Sequence, residues 1–380
     1  MEWPADLASV SRQLGVKDTN IYENSFPGIF ENQIFLAARI YYGVKRVFSL
    51  FRGPNITKSR VRNVLLQYWF AGIARKKNVD LVVVSYTYWS DIVEKIPVKI
   101  IRVMELMDLI PIYQHLVTEV SRQIISKDGC VELIPEPDDL GYVSSVGQLP
   151  PIVIESLRCN ILELDKYNLI WSISERETNI VREINPAFRI DTIYPRIANQ
   201  GDTLKNHDYA LMPTGPNIFN TYSILRFFKY IKPFVVYPSE DAKILITGFS
   251  LANSKFTLPE GVKNLGSVDD YLSVLKRARF FIVATSVGTG QQLKIFEALS
   301  NGIPVVCFKI ALPEEMQKAS LGIVSVDNDR DFAEAVSKMW NDEEYYQRIK
   351  SELNGFVQFM SNRPGYRQSV EKFVEKQARL

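Results

Sequence analysis

Residues 279–309 read RFFIVATSVGTGQQLKIFEALSNGIPVVCFK and carry the clearest structural pattern of the chain. The apolar run Phe280–Ala284 predicts a buried strand, and the periodicity of Gln291–Ser300 predicts a helix. Asn301-Gly302 predicts the end of that helix, because glycine readily adopts the left-handed conformation that closes a last turn. Val305–Phe308 predicts a second buried strand. Strand, helix and strand in this order predict a βαβ unit with parallel strands.

The loop of this unit is Gly288-Thr289-Gly290. Glycines let a ligand approach the backbone closely, because they carry no Cβ. The helix that follows begins with unpaired N–H groups and a partial positive charge, which favour a phosphate. Lys294 and Glu297 are three residues apart and share one helix face, where they could hold a diphosphate and a pair of ribose hydroxyls. A tight turn followed by an exposed Lys–Glu pair is the alternative interpretation.

Three pieces of this segment, residues 288–290, 294–299 and 302–306, resemble the donor-site signature of retaining GT-B-type glycosyltransferases of the family-four-like group, the glycosyl transferases group 1. The resemblance implies that the glycine loop meets the diphosphate of a nucleotide sugar and that Glu297 meets the ribose. Many members have another glutamate eight residues earlier, which touches the sugar. Thr289 stands there in this sequence, as in a sub-branch whose loop reads G-T-G.

Two other turns are similar to turns of that family. Thr214-Gly215-Pro216-Asn217 resembles a turn that faces the donor phosphates, although turn formation alone explains Gly215-Pro216 equally well. Residues 266–271 resemble the turn whose valine backbone contacts the nucleotide base. A basic residue often lies near the first turn in the family, and only Lys255 could take its place here. The residues implied in donor binding are Gly215, Asn217, Val268, Gly288, Thr289, Gly290, Lys294 and Glu297.

Acidic residues follow another predicted strand. Val98–Val103 predicts a parallel strand that leads into Met104–Asp108, and ligands of open α/β sheets bind at such carboxyl ends. The resemblance implies that a polar pair faces the cleft here, with Asp108 as the first catalytic candidate and Glu105 as the second. The alternative is that Asp108 caps a helix over Leu109–Ile125. Lys294 is a third catalytic candidate, because its charge would stabilise a departing diphosphate.

The resemblance also implies the architecture. It is an α/β protein of the GT-B fold, with two Rossmann-like, doubly wound parallel-sheet domains that face a cleft; 380 residues suit two such domains. We predict the N-terminal domain at residues 1–200, with residues 197–206 as the hinge. The C-terminal domain is predicted at residues 207–358, and residues 359–380 are expected to form a helix that returns to the first domain. Residues 1–42 lack the usual opening strand and glycine-rich turn of the family.

Composition excludes other classes. The formal net charge of +2 gives no general attraction to nucleic acid. Only two histidines are present, which excludes a histidine-rich metal site, and three scattered cysteines predict free thiols in a reducing compartment. The sequence shows no leader pattern and no apolar run of the roughly 20 residues that span a bilayer. We expect a cytoplasmic protein, soluble or peripheral at the inner face of the membrane, with no metal and no resident cofactor.

Residues 43–79 are unusually basic. They include nine Lys or Arg residues and no Asp or Glu, and aromatic residues are interleaved with them. One interpretation is a surface for anionic lipid head groups or a lipid diphosphate acceptor. RNA binding is a second interpretation, although no nucleic acid is expected from the net charge. A buried helix flanked by solvated charges is the third. Residues 128–151, which are polar and contain prolines, predict a loop insertion.

The functional hypothesis is transfer of a sugar, with retention of anomeric configuration and without a metal. The co-substrate would be a nucleotide diphosphate sugar, and the acceptor would be a hydroxyl of a glycan or of a lipid-linked or protein-linked group. Two alternatives remain open from the sequence. The first is a catalytically silent glycosyltransferase-like subunit that acts as a binding or scaffold partner. The second is a sugar-nucleotide epimerase of related architecture.

Overall fold

The computed structural model describes residues 64–127, 130–134, 140–194, 209–215, 217–237, 243–248, 258–288 and 290–377. Several sequence-based predictions concern residues outside these ranges. They are the atypical segment 1–42, the basic residues before position 64, the hinge at 197–206, Lys255 and Thr289.

The N-terminal lobe is built on a parallel sheet with the strand order β1-β2-β5-β6. Its strands are β1 (Leu81–Ser85), β2 (Ile101–Leu106), β5 (Leu169–Ser172) and β6 (Ile190–Thr192). Its helices are α1 (Val64–Lys76), α2 (Ile110–Arg122), α3 (Pro151–Leu162) and α4 (Glu175–Ile184). A hairpin of β3 (Ile124–Lys127) and β4 (Cys130–Leu133) follows α2.

The C-terminal lobe is built on a parallel sheet with the order β12-β11-β10-β7-β8-β9. Its strands are β7 (Tyr209–Pro213), β8 (Lys243–Thr247), β9 (Val262–Asn264), β10 (Ala278–Val283), β11 (Val305–Phe308) and β12 (Ile323–Val326). Its helices are α5 (Ile218–Arg226), α6 (Tyr271–Lys276), α7 (Leu293–Ser300), α8 (Glu314–Gln317), α9 (Asp329–Asn341), α10 (Glu343–Ser351) and α11 (Leu353–Ser361). Both sheets are covered by helices, which is why β5, β7 and β11 are buried along their whole length.

The predicted βαβ unit is confirmed as β10, α7 and β11. The two strands pair in parallel, with Phe281 opposite Val305. Gly302 has a φ of 74°, and its N–H donates to the carbonyl of Leu299. The N–H of Ile303 donates to the carbonyl of Ala298. These two bonds form the glycine-terminated cap that the Asn-Gly pair predicts, and they turn the chain into β11.

The two lobes are in apolar contact beside the cleft. Phe219 and Tyr222 of α5 are buried within the main cluster of the N-terminal lobe. The ring of Phe219 meets the ring of Tyr113 edge-on, with 5.4 Å between the centroids. This contact holds α2 against α5, so the carboxyl end of β2 faces the C-terminal lobe.

The last helix, α12 (Tyr366–Gln377), packs on the N-terminal sheet. Trp171 of β5 donates its indole N–H to Ser369 Oγ at 2.9 Å, and the Phe373 side chain is buried among residues of the same sheet. The hydroxyl of Tyr366 donates to Glu105 of β2. The end of the chain therefore crosses from the C-terminal lobe back to the N-terminal lobe.

Two sequence-based boundaries in the N-terminal lobe are wrong. The strand predicted at Val98–Val103 begins three residues later, because the N–H of Ile100 bonds to the carbonyl of Pro97 and closes a turn. Val98 is consequently 89% exposed. The helix predicted to reach Ile125 ends at Arg122, and Ile124 opens the hairpin. The predicted loop at residues 128–151 thus contains β4 and a short 3₁₀ turn at Val146–Gln148.

Candidate functional site

The glycine loop lies where the two lobes meet. Gly288 pairs with Tyr142 of the N-terminal lobe in an isolated parallel bridge. A Cβ at Gly288 would lie 3.0 Å from Cε1 of the Tyr142 ring, a tight contact that would require the ring to shift by a few tenths of an ångström. A Cβ at Gly290 would lie 3.5 Å from the Asp108 carboxylate oxygen Oδ1. Gly288 therefore allows the loop to pass close to the Tyr142 ring of the opposite lobe, whereas a Cβ at Gly290 would make an ordinary contact with Asp108.

Lys294 reaches from the first turn of α7 to the carboxyl end of β7. Its ammonium donates to Asn220 Oδ1 at 2.8 Å and to the carbonyl of Pro213 at 3.2 Å. Both partners are neutral. Burial disfavours the charged form and lowers the pKa of Lys294 to about 8, so the group is still largely protonated at neutral pH. A positive charge whose partners among the described residues are neutral oxygens is suited to bind a phosphate.

The turn between β7 and α5 provides the groups that surround the Lys294 ammonium. Asn217 caps α5, because its side-chain oxygen accepts from the N–H of Asn220 at 2.9 Å. The amide of Asn220 in turn donates to the carbonyl of Gly215 at 3.2 Å. The sequence analysis missed Asn220, although its position three residues after a cap asparagine was a usable signal. Asn220 joins the Gly215 turn to Lys294 of α7.

Glu297 lies on the same face of α7, one turn beyond Lys294. Its Oε2 accepts from the hydroxyl of Tyr271 at 3.2 Å. Burial raises the pKa of the Glu297 carboxyl, and the bond from Tyr271 partly offsets that effect. Tyr271 begins α6, directly after the turn that contains Val268. Tyr271 therefore connects Glu297, the predicted ribose contact, with the turn that contains Val268, the predicted base contact.

Asp108 and Glu105 have different surroundings. Asp108 follows β2 and lies against Gly290 across the cleft. It does not cap α2: the cap position is Leu109, whose N–H donates to Glu177 at 3.1 Å, so that alternative is wrong. Glu105 accepts from the hydroxyls of Ser85 at 2.6 Å and Tyr366 at 2.8 Å. The structure brings Asp108 to the glycine loop and places Glu105 against the C-terminal helix.

Glu177 is a buried residue beside Asp108 that the sequence analysis missed. Its side chain is 1% exposed and holds the start of α2 next to Asp108. Burial, and then the nearby Asp108 carboxylate, raise the pKa of Glu177 well above its usual value. Burial and the neighbouring carboxylate therefore favour the neutral form of Glu177.

A cross-lobe contact also escaped the sequence analysis. The Arg176 guanidinium lies over the ring of Tyr142, 4.7 Å from its centroid, and donates to the carbonyls of Ile310 and Leu312 in the C-terminal lobe. The hydroxyl of Tyr142 accepts from the Gln292 amide at 2.7 Å. Tyr142 and Arg176 therefore bind the N-terminal lobe to the loop before α7 and to the segment after β11.

A polar cavity of about 250 Å³ opens beside this contact. Ser144, Glu175 and Asn179 line it from the N-terminal lobe, and Gly290, Gln291 and Glu314 line it from the C-terminal lobe. Both polar atoms of the Gln291 amide are buried without a hydrogen-bond partner among the described residues. Leaving a buried polar group unpaired costs roughly 1–3 kcal/mol. No cluster of three metal-ligating side chains occurs in the part of the chain that the structure describes.

Comparison with known families identifies the central part of the C-terminal lobe. Residues 218–342 match the model of the family described as "Glycosyl transferases group 1". The chain carries a glycosyl transferases group 1 domain. The match includes α5, α7 and the glycine loop, and it confirms the resemblance seen in residues 288–306. Comparison with curated proteins gave no match.

Solved structures give the fold of the whole molecule. Sucrose-phosphate synthase from Thermosynechococcus elongatus is 12% identical, with a TM-score of 0.54 over 82% of this chain and 76% of that one. Anabaena HepE in complex with UDP is 12% identical, with a TM-score of 0.52 over 83% of this chain and 82% of that one. A S. aureus TarM variant with UDP is 12% identical, with a TM-score of 0.51 over 82% of this chain.

The chain spans only 58% of the length of TarM. These glycosyltransferases share the GT-B fold, so the predicted architecture of two Rossmann-like lobes is confirmed. Likeness at this level of identity concerns the fold, and the chemistry of this chain has to be argued from its own residues.

Proposed function

We propose that this protein is a glycosyltransferase that moves a sugar from a nucleotide diphosphate sugar to an acceptor hydroxyl. One observation carries the proposal: Gly290 of the glycine loop lies against Asp108 across the cleft, and the Lys294 ammonium in the first turn of α7 is bonded to the neutral oxygens of Pro213 and Asn220. Positive groups on one lobe and a carboxylate on the other suit a reaction in which a diphosphate leaves a sugar that becomes positively charged. HepE, which has this fold, was solved in complex with UDP.

Each predicted donor residue has a role in this proposal. The amides of the loop at Gly288, Thr289 and Gly290 and the start of α7 hold the diphosphate. Gly215 and Asn217 contribute from the facing turn, and Lys294 stabilises the charge of the leaving group. Glu297 binds the ribose, and the backbone at Val268 contacts the base. Asp108 stabilises positive charge on the sugar, whereas Glu105 keeps a structural role at α12.

Retention and metal independence are part of the same proposal. The loop amides and Lys294 supply the positive potential that a divalent cation would otherwise provide. A phosphate oxygen of the donor can accept the proton of the acceptor hydroxyl on the same face of the sugar. No protein base is then needed, which suits a chain with two histidines.

The acceptor is proposed to enter from the N-terminal lobe, as a hydroxyl of a glycan or of a lipid-linked or protein-linked group. The TarM complex contains alpha-GlcNAc-glycerol together with UDP, which supports a glycan acceptor. We also propose a cytoplasmic protein that binds the inner face of a membrane through residues 43–79. In the described part of that segment, Tyr68 is 57% exposed and the Lys95 ammonium lies 5.6 Å from its ring centroid.

The structure has no described helix of the length and hydrophobicity that crossing a bilayer requires. Surface binding can be tested by flotation with vesicles that contain or lack anionic lipid. We expect retention only on the anionic vesicles. Equal retention on neutral vesicles would remove the electrostatic proposal for residues 43–79.

The function itself is tested by titration calorimetry against UDP, GDP, ADP and their sugar esters, followed by a product assay with glycan and lipid-linked acceptors. The proposal expects one nucleotide series to bind and one sugar to be transferred. Absence of binding to all of these compounds would contradict it.

A catalytically silent subunit is the second candidate, and one contact favours it. The Tyr142 ring packs on Gly288 and occupies space directly beside the loop. Such a subunit would bind a nucleotide sugar, or only a protein, without turnover. Nucleotide binding by the wild type with no transfer to any acceptor, and no slow hydrolysis of the donor, would support this candidate over the enzyme.

A further inference from the structure

The start of α4 carries a capping-box pattern that the structure does not use. Ser174 is the cap residue and Glu177 lies three residues later, a spacing at which the glutamate normally bonds back to the N–H of the serine. Here the N–H of Ser174 donates to Ser172 Oγ at 3.1 Å instead. The Glu177 carboxyl is therefore not needed at its own helix and is free to make a contact outside α4.

That contact is with the turn that carries Asp108. The Glu177 oxygen Oε1 accepts from the N–H of Leu109 at 3.1 Å, from 68 positions away along the chain. Leu109 is the cap residue of α2, and its apolar side chain cannot accept a hydrogen bond from the helix. Glu177 thus holds the backbone directly after Asp108, whose carboxylate lies beside Gly290.

The surroundings of Glu177 favour a carboxylic acid over a carboxylate. The side chain is buried, and its second oxygen, Oε2, has no hydrogen-bond partner among the described residues. No Lys or Arg of the described ranges is paired with it, whereas the Asp108 carboxylate opposes its ionisation. A buried charge without a partner is costly, so the Glu177 carboxyl keeps its proton.

We propose that Glu177 is a positioning residue for sugar transfer and that it acts through Asp108. Its neutral carboxyl accepts from Leu109 and so keeps the Asp108 carboxylate beside Gly290, without adding a second negative charge to this turn. Glu177 is itself too deeply buried to touch the sugar. The proposal rests on the proposed function, in which Asp108 stabilises positive charge on the sugar.

Two substitutions at this position separate the hydrogen bond from the charge. Glu177→Gln keeps an acceptor oxygen and is always neutral, so its kcat should lie within about twofold of the wild type. Glu177→Ala removes the acceptor and should lower kcat by about tenfold, while KM for the donor changes by less than about twofold. Glu155→Gln, which changes an exposed carboxyl of α3, is the matched control and should leave both quantities unchanged.

A double-mutant cycle tests whether Glu177 acts through Asp108. Two residues that act together have effects that do not add in free energy, whereas independent residues have effects that add. In the Asp108→Asn background, Glu177→Ala should therefore lower kcat by less than about twofold. A further loss of about tenfold in that background would contradict action through Asp108.

The protonation of Glu177 can be measured without any substrate. A carboxyl whose pKa is raised by folding stabilises the protein most at pH values below its unfolded pKa, and this contribution is lost as the pH rises towards the folded pKa. Glu177→Gln has no such loss. Its melting temperature should therefore rise relative to that of the wild type by at least about 2 °C between pH 5 and pH 8. A constant or falling difference would contradict the neutral carboxyl.

The outcomes distinguish the two levels of the proposal. No transfer by the wild type to any acceptor would overturn the proposed function, and the positioning role with it. Transfer by the wild type, with Glu177→Ala within about twofold of its kcat, would overturn the positioning role alone. Equal losses in the Ala and Gln variants would show that a carboxylate is needed and would contradict the proposal.

A loss in Glu177→Ala that Glu177→Gln restores supports both levels. If the Ala variant does not fold, the Gln variant decides. A kcat close to that of the wild type, together with the relative rise in melting temperature, would then support the proposal, and a tenfold loss of kcat would contradict it.

Discussion

Two pairs of charged residues lie beside the cleft, Lys294 with Glu297 and Glu105 with Asp108. The members of each pair are three residues apart in the sequence, but only the first pair shares one face of its secondary-structure element. Lys294 and Glu297 lie on a helix, where residues three apart are neighbours, and both bond to groups of the C-terminal lobe. Glu105 and Asp108 span the end of a strand, where successive side chains alternate between faces. Glu105 accepts a hydrogen bond from Tyr366 of the C-terminal helix, whereas Asp108 lies beside Gly290 of the glycine loop. Spacing therefore indicates a shared site only when the secondary structure is known.

The largest effect expected from this comparison is that of Asp108→Asn. Loss of the one carboxylate placed against Gly290 should lower kcat by a factor on the order of 10², as removal of an electrostatic contact to a transition state does. Donor affinity should change little, because the diphosphate is proposed to bind to the other lobe. Steady-state kinetics and donor titration measure the two quantities. A kcat within twofold of the wild type would remove Asp108 from the reaction.

Lys294→Ala should give the next largest effect. Loss of a charged contact worth roughly 1.5–3 kcal/mol should weaken donor binding and lower kcat/KM by at least tenfold. Glu297→Ala should act in the same direction through the ribose. Lys338→Ala is the matched control, because Lys338 forms only an exposed pair with Glu334 on α9. Equal kinetics for the Lys294 and Lys338 variants would contradict the role of α7.

The lowered pKa of Lys294 predicts that donor affinity depends on pH. Loss of the Lys294 charge at high pH should weaken donor binding, as Lys294→Ala does, but by a smaller factor. The group is a cation below its pKa of about 8 and loses its charge as the pH rises through that value. The donor diphosphate stays ionised over the same range, so donor affinity should fall by about tenfold between pH 7 and pH 9. Lys294→Arg should abolish this dependence, because guanidinium keeps its proton. A flat profile for the wild type would show that Lys294 does not contact the donor.

Glu105→Gln should have the smallest effect on catalysis. The amide can still accept from one of the two hydroxyls but not from both, so the variant should lose about 1 kcal/mol of unfolding free energy and a few degrees of melting temperature. Its kcat should equal that of the wild type. A large loss of turnover at unchanged stability would return Glu105 to the catalytic candidates.

The sequence was sufficient for the C-terminal βαβ unit, because every signal in it is local. Phe280–Ala284, the Asn-Gly cap and Val305–Phe308 lie within a single span of 31 residues. The start of β2 was misplaced because the apolar residues of Val98–Val103 look alike whether they form a strand or a turn after Pro97. Tertiary hydrogen bonds decide between the two.

The cross-lobe contacts could not be predicted in the same way. Arg176 donates to Ile310 from 134 positions away, and the Gln292 bond to Tyr142 spans 150 positions. The unpaired amide of Gln291 becomes visible only when its surroundings are known. The sequence indicated the side of the cleft that is proposed to hold the donor, whereas the structure was needed to find which residues face it.

The central claim is that a diphosphate binds to the loop around Gly288 and Gly290 and to the start of α7. Amide chemical-shift mapping of the deuterated, ¹⁵N-labelled protein with UDP, GDP and ADP tests it most directly. The account predicts that one of them shifts the amides of Gly288, Gly290 and Lys294 most strongly, with at least tenfold weaker binding in Lys294→Ala. Shifts confined to other parts of the molecule, or none at saturating nucleotide, would contradict it.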